Sequence, residues 1–212
     1  MKVNSEDMRL YVVTDRTWLG ENSLAEQVEN TLRAGATFVQ LREKHLGFDE
    51  FLKSAREIKA VTDKYKVPFV INDNVEVALA VDADGVHVGQ SDLEAKNVRK
   101  LIGENKILGV SAHTVKQALK AQEGGADYIG VGAVFTTTTK GDADSVTFDM
   151  LKKICSAVSI PVVAIGGITK DNIMKLSGSG VDGVAVISAI FSRTDIEAAT
   201  REIFELSNRI VL

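Results

Sequence analysis

The stretch that decides the fold is Asp84-Gly-Val-His-Val-Gly-Gln-Ser-Asp92, near the middle of the chain. Its alternation predicts a short strand with Val86 and Val88 on one face and His87 on the other. The strand runs through a glycine into a polar loop that ends at the Asp92 carboxylate. A strand that carries polar groups into its C-terminal loop is typical of the active end of a parallel α/β enzyme.

Seven further segments have the same strand pattern, and helical periodicity fills the intervals between them. The predicted strands are Leu10–Thr14, Phe38–Arg42, Pro68–Asn72, Gly85–Gly89, Ile107–Ser111, Tyr128–Gly132, Pro161–Ile165 and Gly183–Ile187. The predicted helices are Leu24–Ala34, Phe48–Tyr65, Val75–Ala80, Glu94–Ile102, Val115–Glu123, Phe148–Val158, Asn172–Ser177 and Ile196–Ser207. Eight alternating units predict a single-domain (β/α)8 TIM barrel over residues 1–212.

A weak internal repeat supports this count. Four phrases each join a helix end to a strand: Gly35-Ala-Thr-Phe-Val, Asp82-Ala-Asp-Gly-Val, Gly125-Ala-Asp-Tyr-Ile and Gly180-Val-Asp-Gly-Val. Glycine suits the first position because the end of a helix commonly needs a left-handed residue.

Composition excludes several classes of protein. The net charge of −4, without a basic tail, argues against nucleic acid or an anionic membrane as partner. The single Cys155 excludes an internal disulfide and suits a reducing compartment. No signal peptide or membrane span is visible, so we expect a cytoplasmic protein that binds small molecules. A homo-oligomer is compatible with the sequence, which does not set the oligomeric state.

Period two along each strand predicts which side chains face the barrel axis. Polar and glycine residues share that face and should converge at the C-terminal mouth, where the glycines leave room for a ligand. This face carries Gln40, Arg42, Lys44, Val70, Asn72, Gly85, His87, Gly89, Gly109, Ser111, Tyr128, Gly130 and Gly132.

Two carboxylates, Asp73 and Asp92, follow neighbouring strands, and Asn72 lies beside the first. Paired carboxylates without His or Cys ligand spacing suit a hard cation, and favour Mg²⁺ over Zn²⁺. In the alternative interpretation each aspartate caps the helix that follows it.

Anion-binding residues are predicted on both sides of the mouth. Arg42 and Lys44 face inward at a strand end, where an uncompensated charge would be costly, unless Glu43 or a nearby Asp neutralises them. The loop Phe135-Thr-Thr-Thr-Thr-Lys-Gly141 has hydroxyls and a lysine that suit phosphate, or is a solvated loop. Gly166-Gly167 and Ile187-Ser188 follow strands seven and eight, the usual phosphate position of such barrels, although the glycines could form only a tight turn.

The three histidines differ in expected role. His45 and His113 are predicted loop residues, and His113 could face the mouth beside Ser111. His87 is the histidine predicted to lie near a substrate, because its inward parity places it beside Asp92. The whole set predicts a metal-bound diphosphate and a monophosphate, with substitution at the carbon that carries the diphosphate.

In their order and spacing these residues resemble the thiamine-phosphate synthase family along essentially the whole chain. The matching phrases are Tyr11-Val-Val-Thr-Asp15, Gln40-Leu-Arg-Glu-Lys44, Ile71-Asn-Asp73, His87-Val-Gly-Gln-Ser-Asp92, Gly109-Val-Ser-Ala-His113, Gly166-Gly-Ile-Thr169 and Asp182-Gly-Val-Ala-Val-Ile-Ser188. The resemblance implies a (β/α)8 barrel that joins 4-amino-5-hydroxymethyl-2-methylpyrimidine diphosphate to a thiazole phosphate or its carboxylated precursor. It implies a dissociative route that releases pyrophosphate.

The resemblance also implies roles for individual residues. Asp73 and Asp92 would hold Mg²⁺. The pyrimidine diphosphate would bind Gln40, Leu41, Arg42, Glu43, Lys44, Asn72, Ser111 and Lys140, and the thiazole phosphate would bind Thr137, Thr139, Gly167, Ile187 and Ser188. Thr138, between the two threonines, is a further expected substrate-binding residue. Arg42, Lys44, Ser111 and Lys140 are the expected catalytic residues.

One loop departs from the family pattern. Ala133 and Thr136 stand where the family usually has proline, which leaves the loop less restricted in the unfolded chain. The alternatives are a related thiazole tautomerase, a phosphate-binding barrel without catalysis, or another sugar-phosphate barrel enzyme. The metal pair argues against the tautomerase.

Overall fold

The computed structural model describes residues 3–90, 95–136 and 145–211, and in it eight parallel strands form one closed barrel in chain order. The strands are β1 (Leu10–Val13), β2 (Phe38–Leu41), β3 (Phe69–Asn72), β4 (Gly85–Val88), β5 (Ile107–Ala112), β6 (Tyr128–Val131), β7 (Val162–Ile165) and β8 (Gly183–Val186). β8 pairs with β1, with Tyr11 opposite Ala185, which closes the sheet. The predicted TIM barrel is confirmed.

The helices surround this barrel. They are α1 (Leu24–Arg33), α2 (Phe48–Tyr65), α3 (Val75–Ala80), α4 (Ala95–Ile102), α5 (Val115–Glu123), α6 (Phe148–Ala157), α7 (Ser188–Phe191) and α8 (Ile196–Ile210). Short 3₁₀ helices occupy Glu6–Met8, Arg16–Trp18 and Ile173–Leu176. The α-helix predicted at Asn172–Ser177 is therefore wrong, and α7 was not predicted because four residues are too few to show helical periodicity. None of the described helices combines the length and apolarity needed to cross a lipid bilayer.

The core has two layers, which follow the alternation of side chains along the strands. The outer layer, between strands and helices, contains Val39, Leu41, Phe69 and Ile71, all without exposed surface. A separate inner cluster fills the barrel axis and consists of Val3, Met8, Tyr11, Val13, Phe38, Val70, Ile107, Tyr128, Val163 and Ala185. The inward parity predicted for Val70 and Tyr128 is confirmed.

The internal repeat builds the N-terminal end of the barrel. The first residue of each phrase has a positive φ: 106° at Gly35, 52° at Asp82, 89° at Gly125 and 89° at Gly180. The third residue of each phrase accepts a hydrogen bond from a backbone N–H of the preceding strand. These bonds run from Leu10 N to Thr37 Oγ1 (2.9 Å), from Phe69 N to Asp84 Oδ2 (2.9 Å), from Leu108 N to Asp127 Oδ2 (2.9 Å) and from Val162 N to Asp182 Oδ2 (2.8 Å).

Candidate active site

A cavity of about 150 Å³ opens to solvent at the C-terminal end of the barrel. Among the described residues it is lined by Gly89, Gln90, Ser111, His113, Gly130, Gly132, Ala133, Ile165, Gly166, Gly167, Ile168, Ala185, Val186, Ile187 and Ser188. The structure therefore brings four of the predicted site residues, Ser111, Gly167, Ile187 and Ser188, to one cavity.

A chain of hydrogen bonds runs through the barrel below this cavity. Gln40 Nε2 donates to the Tyr11 hydroxyl, and the Tyr11 and Tyr128 hydroxyl oxygens lie 2.8 Å apart. His87 then bridges Tyr128 and Ser111, with Nδ1 2.9 Å from Tyr128 Oη and Nε2 3.0 Å from Ser111 Oγ. We call these five residues the relay. It connects side chains from five strands to a hydroxyl that lines the cavity.

The two tyrosines of the relay remain protonated across the physiological pH range. Burial removes water from both phenols and raises the pKa of Tyr11, although its hydrogen bonds to Tyr128 and Gln40 act in the opposite direction. Burial also raises the pKa of Tyr128, and the neighbouring Tyr11 raises it further. Each phenol therefore contributes one hydrogen to the relay.

Glycines on β5 and β6 leave room for relay side chains. A Cβ at Gly109 would lie 2.2 Å from Cζ of Tyr128, and one at Gly130 would lie 3.3 Å from Cε1 of His87. The expectation that glycines here make room for a ligand is thus corrected at Gly109, where the space holds the Tyr128 ring. Gly130 and Gly132 do line the cavity.

His113 follows β5 in a loop, as predicted, and it lines the cavity together with Ser111. Its Nδ1 hydrogen-bonds the carbonyl oxygen of Gly132, and its backbone N–H donates to Gln117 Oε1 at 2.7 Å. Because a carbonyl oxygen can only accept, Nδ1 carries the proton. The neutral form of this ring would therefore have its lone pair on Nε2.

The basic side of the mouth follows β2. Arg42 is half-buried, and this burial lowers the pKa of its guanidinium, while Asp15 and Asp73 act in the opposite direction. Glu43 forms an ion pair with Arg16 at 2.7 Å, so its carboxylate is held by a residue outside the predicted set. Burial raises the pKa of Glu43, and Arg16 offsets part of that rise. Asp15 and Asp73, rather than Glu43, are thus the acidic groups whose charge favours the protonated Arg42 guanidinium.

Leu41 and Lys44, two neighbours of Arg42, differ in their exposure to solvent. Leu41 has no exposed surface and packs in the outer layer, where its backbone pairs with β3. Lys44 is exposed to solvent just after the strand.

Asp73 is exposed at the end of β3 and does not cap α3. Asn74 is the N-cap instead, and its side chain accepts from Val77 N at 2.9 Å. Asp73 has a φ of 62°, and its N–H donates to the His87 carbonyl oxygen at 2.8 Å. Asn72 Nδ2 donates a hydrogen bond to Asp73 Oδ2. The amide oxygen of Asn72 is then a further oxygen ligand of the kind that a hard cation prefers. The capping interpretation of Asp73 is therefore wrong.

These oxygen donors suit Mg²⁺ in chemical type. Asp92, the other predicted ligand, lies outside the described residues, so the predicted pair stays a prediction. Within residues 3–90, 95–136 and 145–211, no group of three or more His, Cys, Asp or Glu side chains is placed to hold a metal ion.

The opposite side of the mouth is formed by the loops after β7 and β8. Gly166 and Gly167 have φ values of 101° and 66°. A Cβ at Gly167 would lie 2.4 Å from the Thr136 carbonyl oxygen, so glycine is needed for the close approach of these two loops. Asn172 Nδ2 donates a hydrogen bond to the Gly167 carbonyl oxygen at 2.8 Å. The predicted phosphate residues Thr137, Thr138, Thr139 and Lys140 lie outside the described residues.

Sequence reasoning missed the roles of Tyr11, Tyr128 and Arg16. The inward parity of Tyr128 was recognised, but tyrosine on a barrel axis is equally typical of a core residue. A signal was available in Gly109, because a glycine opposite an inward tyrosine on the next strand leaves space for its ring.

Comparisons with known proteins agree on one family. The family model described as thiamine monophosphate synthase matches residues 10–190. Thiamine-phosphate synthase from Clostridium tetani is 52% identical over 93% of this chain and 94% of its own length. The enzyme of the same name from Clostridium botulinum is 52% identical and covers 95% of both chains.

Solved structures agree with this family and with the fold. The structure of thiamine phosphate pyrophosphorylase from Pyrococcus furiosus has a TM-score of 0.90 and 39% identity, and the match covers 98% of this chain and 99% of that one. A second structure, (S)-3-O-geranylgeranylglyceryl phosphate synthase from Thermoplasma acidophilum, has a TM-score of 0.70 at 18% identity, with 99% and 100% coverage. That second likeness shows the fold alone.

Proposed function

Because the chain belongs to the thiamine-phosphate synthase family of transferases, we propose the reaction that its mouth performs. A pyrimidine-methyl diphosphate and a thiazole phosphate condense, with Mg²⁺, to thiamine phosphate and pyrophosphate. The proposal rests on one observation: polar residues lie on two sides of the C-terminal mouth of the barrel. Arg42 and Asp73 lie after neighbouring strands on one side, and Gly167 and Ser188 line the cavity on the other. Two anionic substrates could then meet between these sides.

The diphosphate side would hold the leaving group. Arg42 and Lys44, with Lys140 from the loop after β6, would offset its negative charge. Asp73 and Asp92 would hold Mg²⁺, which supplies positive charge to the diphosphate oxygens when it is bound. Asn72 would assist through its amide oxygen, and Gln40 would contact the pyrimidine.

The thiazole side would hold the second substrate through its phosphate. Backbone groups of Gly167 and Ile187 and the hydroxyl of Ser188 would bind phosphate, with Thr137, Thr138 and Thr139 from the neighbouring loop. Ile165, Ile168 and Val186 form an apolar wall beside them. This wall would exclude water from the reacting carbon, since water is the competing nucleophile.

The bond changes in the proposed route balance without a redox partner. The carbon–oxygen bond to the diphosphate breaks, and both electrons leave with the diphosphate oxygen. The pyrimidine-methyl cation that remains is captured by the lone pair of the thiazole nitrogen, which forms the new carbon–nitrogen bond. With the carboxylated precursor, the carbon–carbon bond to the carboxylate also breaks: carbon dioxide leaves, the electron pair stays on the ring carbon, and that carbon takes up a proton from water. Arg42, Lys44, Ser111 and Lys140 stabilise the charge that develops on the leaving group.

A single incubation tests this function. The purified protein is mixed with the pyrimidine diphosphate, the thiazole phosphate and Mg²⁺, and thiamine phosphate is read by oxidation to its fluorescent thiochrome. We expect product that disappears when the metal is chelated and returns when Mg²⁺ is restored. Product formed at an equal rate without metal would overturn the Mg²⁺ assignment. Tight binding of thiazole phosphate without any product would favour the tautomerase or the non-catalytic barrel.

A further inference from the structure

We propose that the relay fixes His87 in one tautomer, with its proton on Nε2, and thereby turns the Ser111 hydroxyl into a hydrogen-bond donor toward the cavity. Tyr11, Tyr128 and His87 act as positioning residues, because none of them lines the cavity. The proposed contact of Ser111 with substrate rests on the proposed function, whereas the tautomer of His87 does not.

The direction of the relay follows from counting hydrogens. Gln40 Nε2 is a donor, so the Tyr11 oxygen accepts there and its hydrogen must point elsewhere. Among the described residues, the other polar atom that Tyr11 Oη contacts is Tyr128 Oη, at 2.8 Å. Tyr11 therefore donates to Tyr128. The single hydrogen of Tyr128 is then directed to His87 Nδ1, at 2.9 Å.

The same count fixes the end of the relay. Because His87 Nδ1 accepts, the neutral imidazole carries its proton on Nε2. That nitrogen donates to Ser111 Oγ at 3.0 Å. The hydrogen of Ser111 is then available to a group in the cavity, such as an anionic oxygen of the diphosphate. In the reverse direction Ser111 would donate to His87 and offer only lone pairs to the substrate.

Packing holds the relay in this geometry. Tyr11, Tyr128, Gln40 and His87 are all buried, at 1%, 0%, 5% and 8% exposed surface. Tyr128 contacts both Phe38 and Tyr11 edge to face, with ring centroids 5.5 and 5.8 Å apart. Gly109 provides the space for the Tyr128 ring. Rotation of any member would leave a buried polar group without its partner, which is costly.

The histidine tautomers can be read directly by nitrogen NMR of the protein labelled in its three histidines. We expect His87 to show a pyridine-type Nδ1 and a pyrrole-type Nε2. His113 is an internal reference with the opposite tautomer, since its Nδ1 donates to the Gly132 carbonyl. The loss of one set of signals in His87→Gln identifies His87. A pyrrole-type Nδ1 at His87 would overturn the proposal, whatever the activity of the protein.

A Tyr128→Phe variant tests whether the relay selects this tautomer. Its ring fills the same space, but His87 Nδ1 loses the donor that holds it. We expect averaged His87 signals from a mixture of tautomers, with the His113 signals unchanged. A single unchanged His87 tautomer in a folded Tyr128→Phe protein would mean that the relay does not set it.

Kinetics then connect the relay to turnover. We expect Tyr128→Phe to lower kcat roughly 10- to 100-fold, because a misplaced Ser111 hydroxyl affects the reacting groups. KM for both substrates should change by less than about 3-fold. Tyr65→Phe is the matched control, since that hydroxyl bonds Glu29 far from the cavity, and its kcat should be unchanged. Equal kcat in wild type and Tyr128→Phe would contradict a positioning role. If the wild type makes no thiamine phosphate, the proposed function fails while the NMR result still decides the relay.

Discussion

The two ends of the barrel both carry polar side chains at strand ends, but they use them differently. At the N-terminal end Thr37, Asp84, Asp127 and Asp182 repeat at equivalent positions, and each accepts a backbone N–H of a neighbouring strand. At the C-terminal end the polar side chains do not repeat, and below them the relay bonds side chains from five strands inside the barrel. In this barrel the repeated polar residues therefore have a structural role, whereas the predicted site residues do not repeat.

This comparison predicts that substitutions at the two ends have opposite effects. Changes at the mouth should remove turnover and leave the free energy of unfolding nearly unchanged. Changes at the repeated positions should lower that free energy and leave turnover of the folded protein intact.

The largest effect is expected at the carboxylates of the mouth. Asp92→Ala and Asp73→Asn should each lower Mg²⁺-dependent turnover by about 100-fold or more. Each change removes a proposed Mg²⁺ ligand, and with it positive charge that would stabilise the leaving diphosphate. Asparagine tolerates the left-handed backbone at Asp73, and Asn74 keeps the cap on α3, so the fold should persist. Thiochrome assays with thermal melts check both points, and Asp63→Asn at the other end of the molecule is the control. An active Asp92→Ala protein would remove the metal assignment.

A smaller effect, on stability alone, is expected at Asp127. Its carboxylate accepts from Leu108 N and pairs with Arg99, whose side chain is 10% exposed. Asp127→Ala would leave both groups without this partner and should cost about 2 kcal/mol of unfolding free energy, discounted for partial exposure. Urea denaturation measures this, with the exposed Asp149→Ala as control. A drop in kcat without a drop in stability would contradict the division between the two ends.

The smallest effect is expected at Asn74, the neighbour of Asp73. Asn74→Ala removes the side chain that caps α3 and should cost about 1 kcal/mol of stability. Turnover at 25 °C should stay within about 2-fold of wild type, because the cap touches no predicted substrate group. Comparing Asn74→Ala with Asp73→Asn separates capping from metal binding at adjacent residues. Loss of activity in Asn74→Ala at full stability would show that the cap also shapes the mouth.

Much of the fold could be predicted because it depends on local pattern. Each strand ends within one residue of its predicted limits, and Phe48–Tyr65, Val75–Ala80 and Val115–Glu123 are helices as predicted. Apolar periodicity determines such elements directly. The segment Ile173–Leu176 was harder, since one turn of 3₁₀ helix and one turn of α-helix place side chains almost alike.

The candidate site was predictable only in part. Period two placed Gln40, His87 and Ser111 on the inward face, which the relay confirms. The sequence could not show whether Asp73 or Asn74 caps α3, because both residue types can cap a helix. The backbone decides between them: Asp73 has a φ of 62°, and Asn74 is the N-cap.

By itself, the sequence determined the eight alternating units, the end of the barrel that carries the polar groups, and the family. These depend on period, spacing and residue type, which neighbouring residues express without long-range contacts. Tertiary structure alone decided that Tyr11 meets Tyr128, 117 residues away, and that Glu43 pairs with Arg16. Such contacts exist because closure of the barrel brings inward side chains from distant strands to one axis, and no local pattern records which of them will touch.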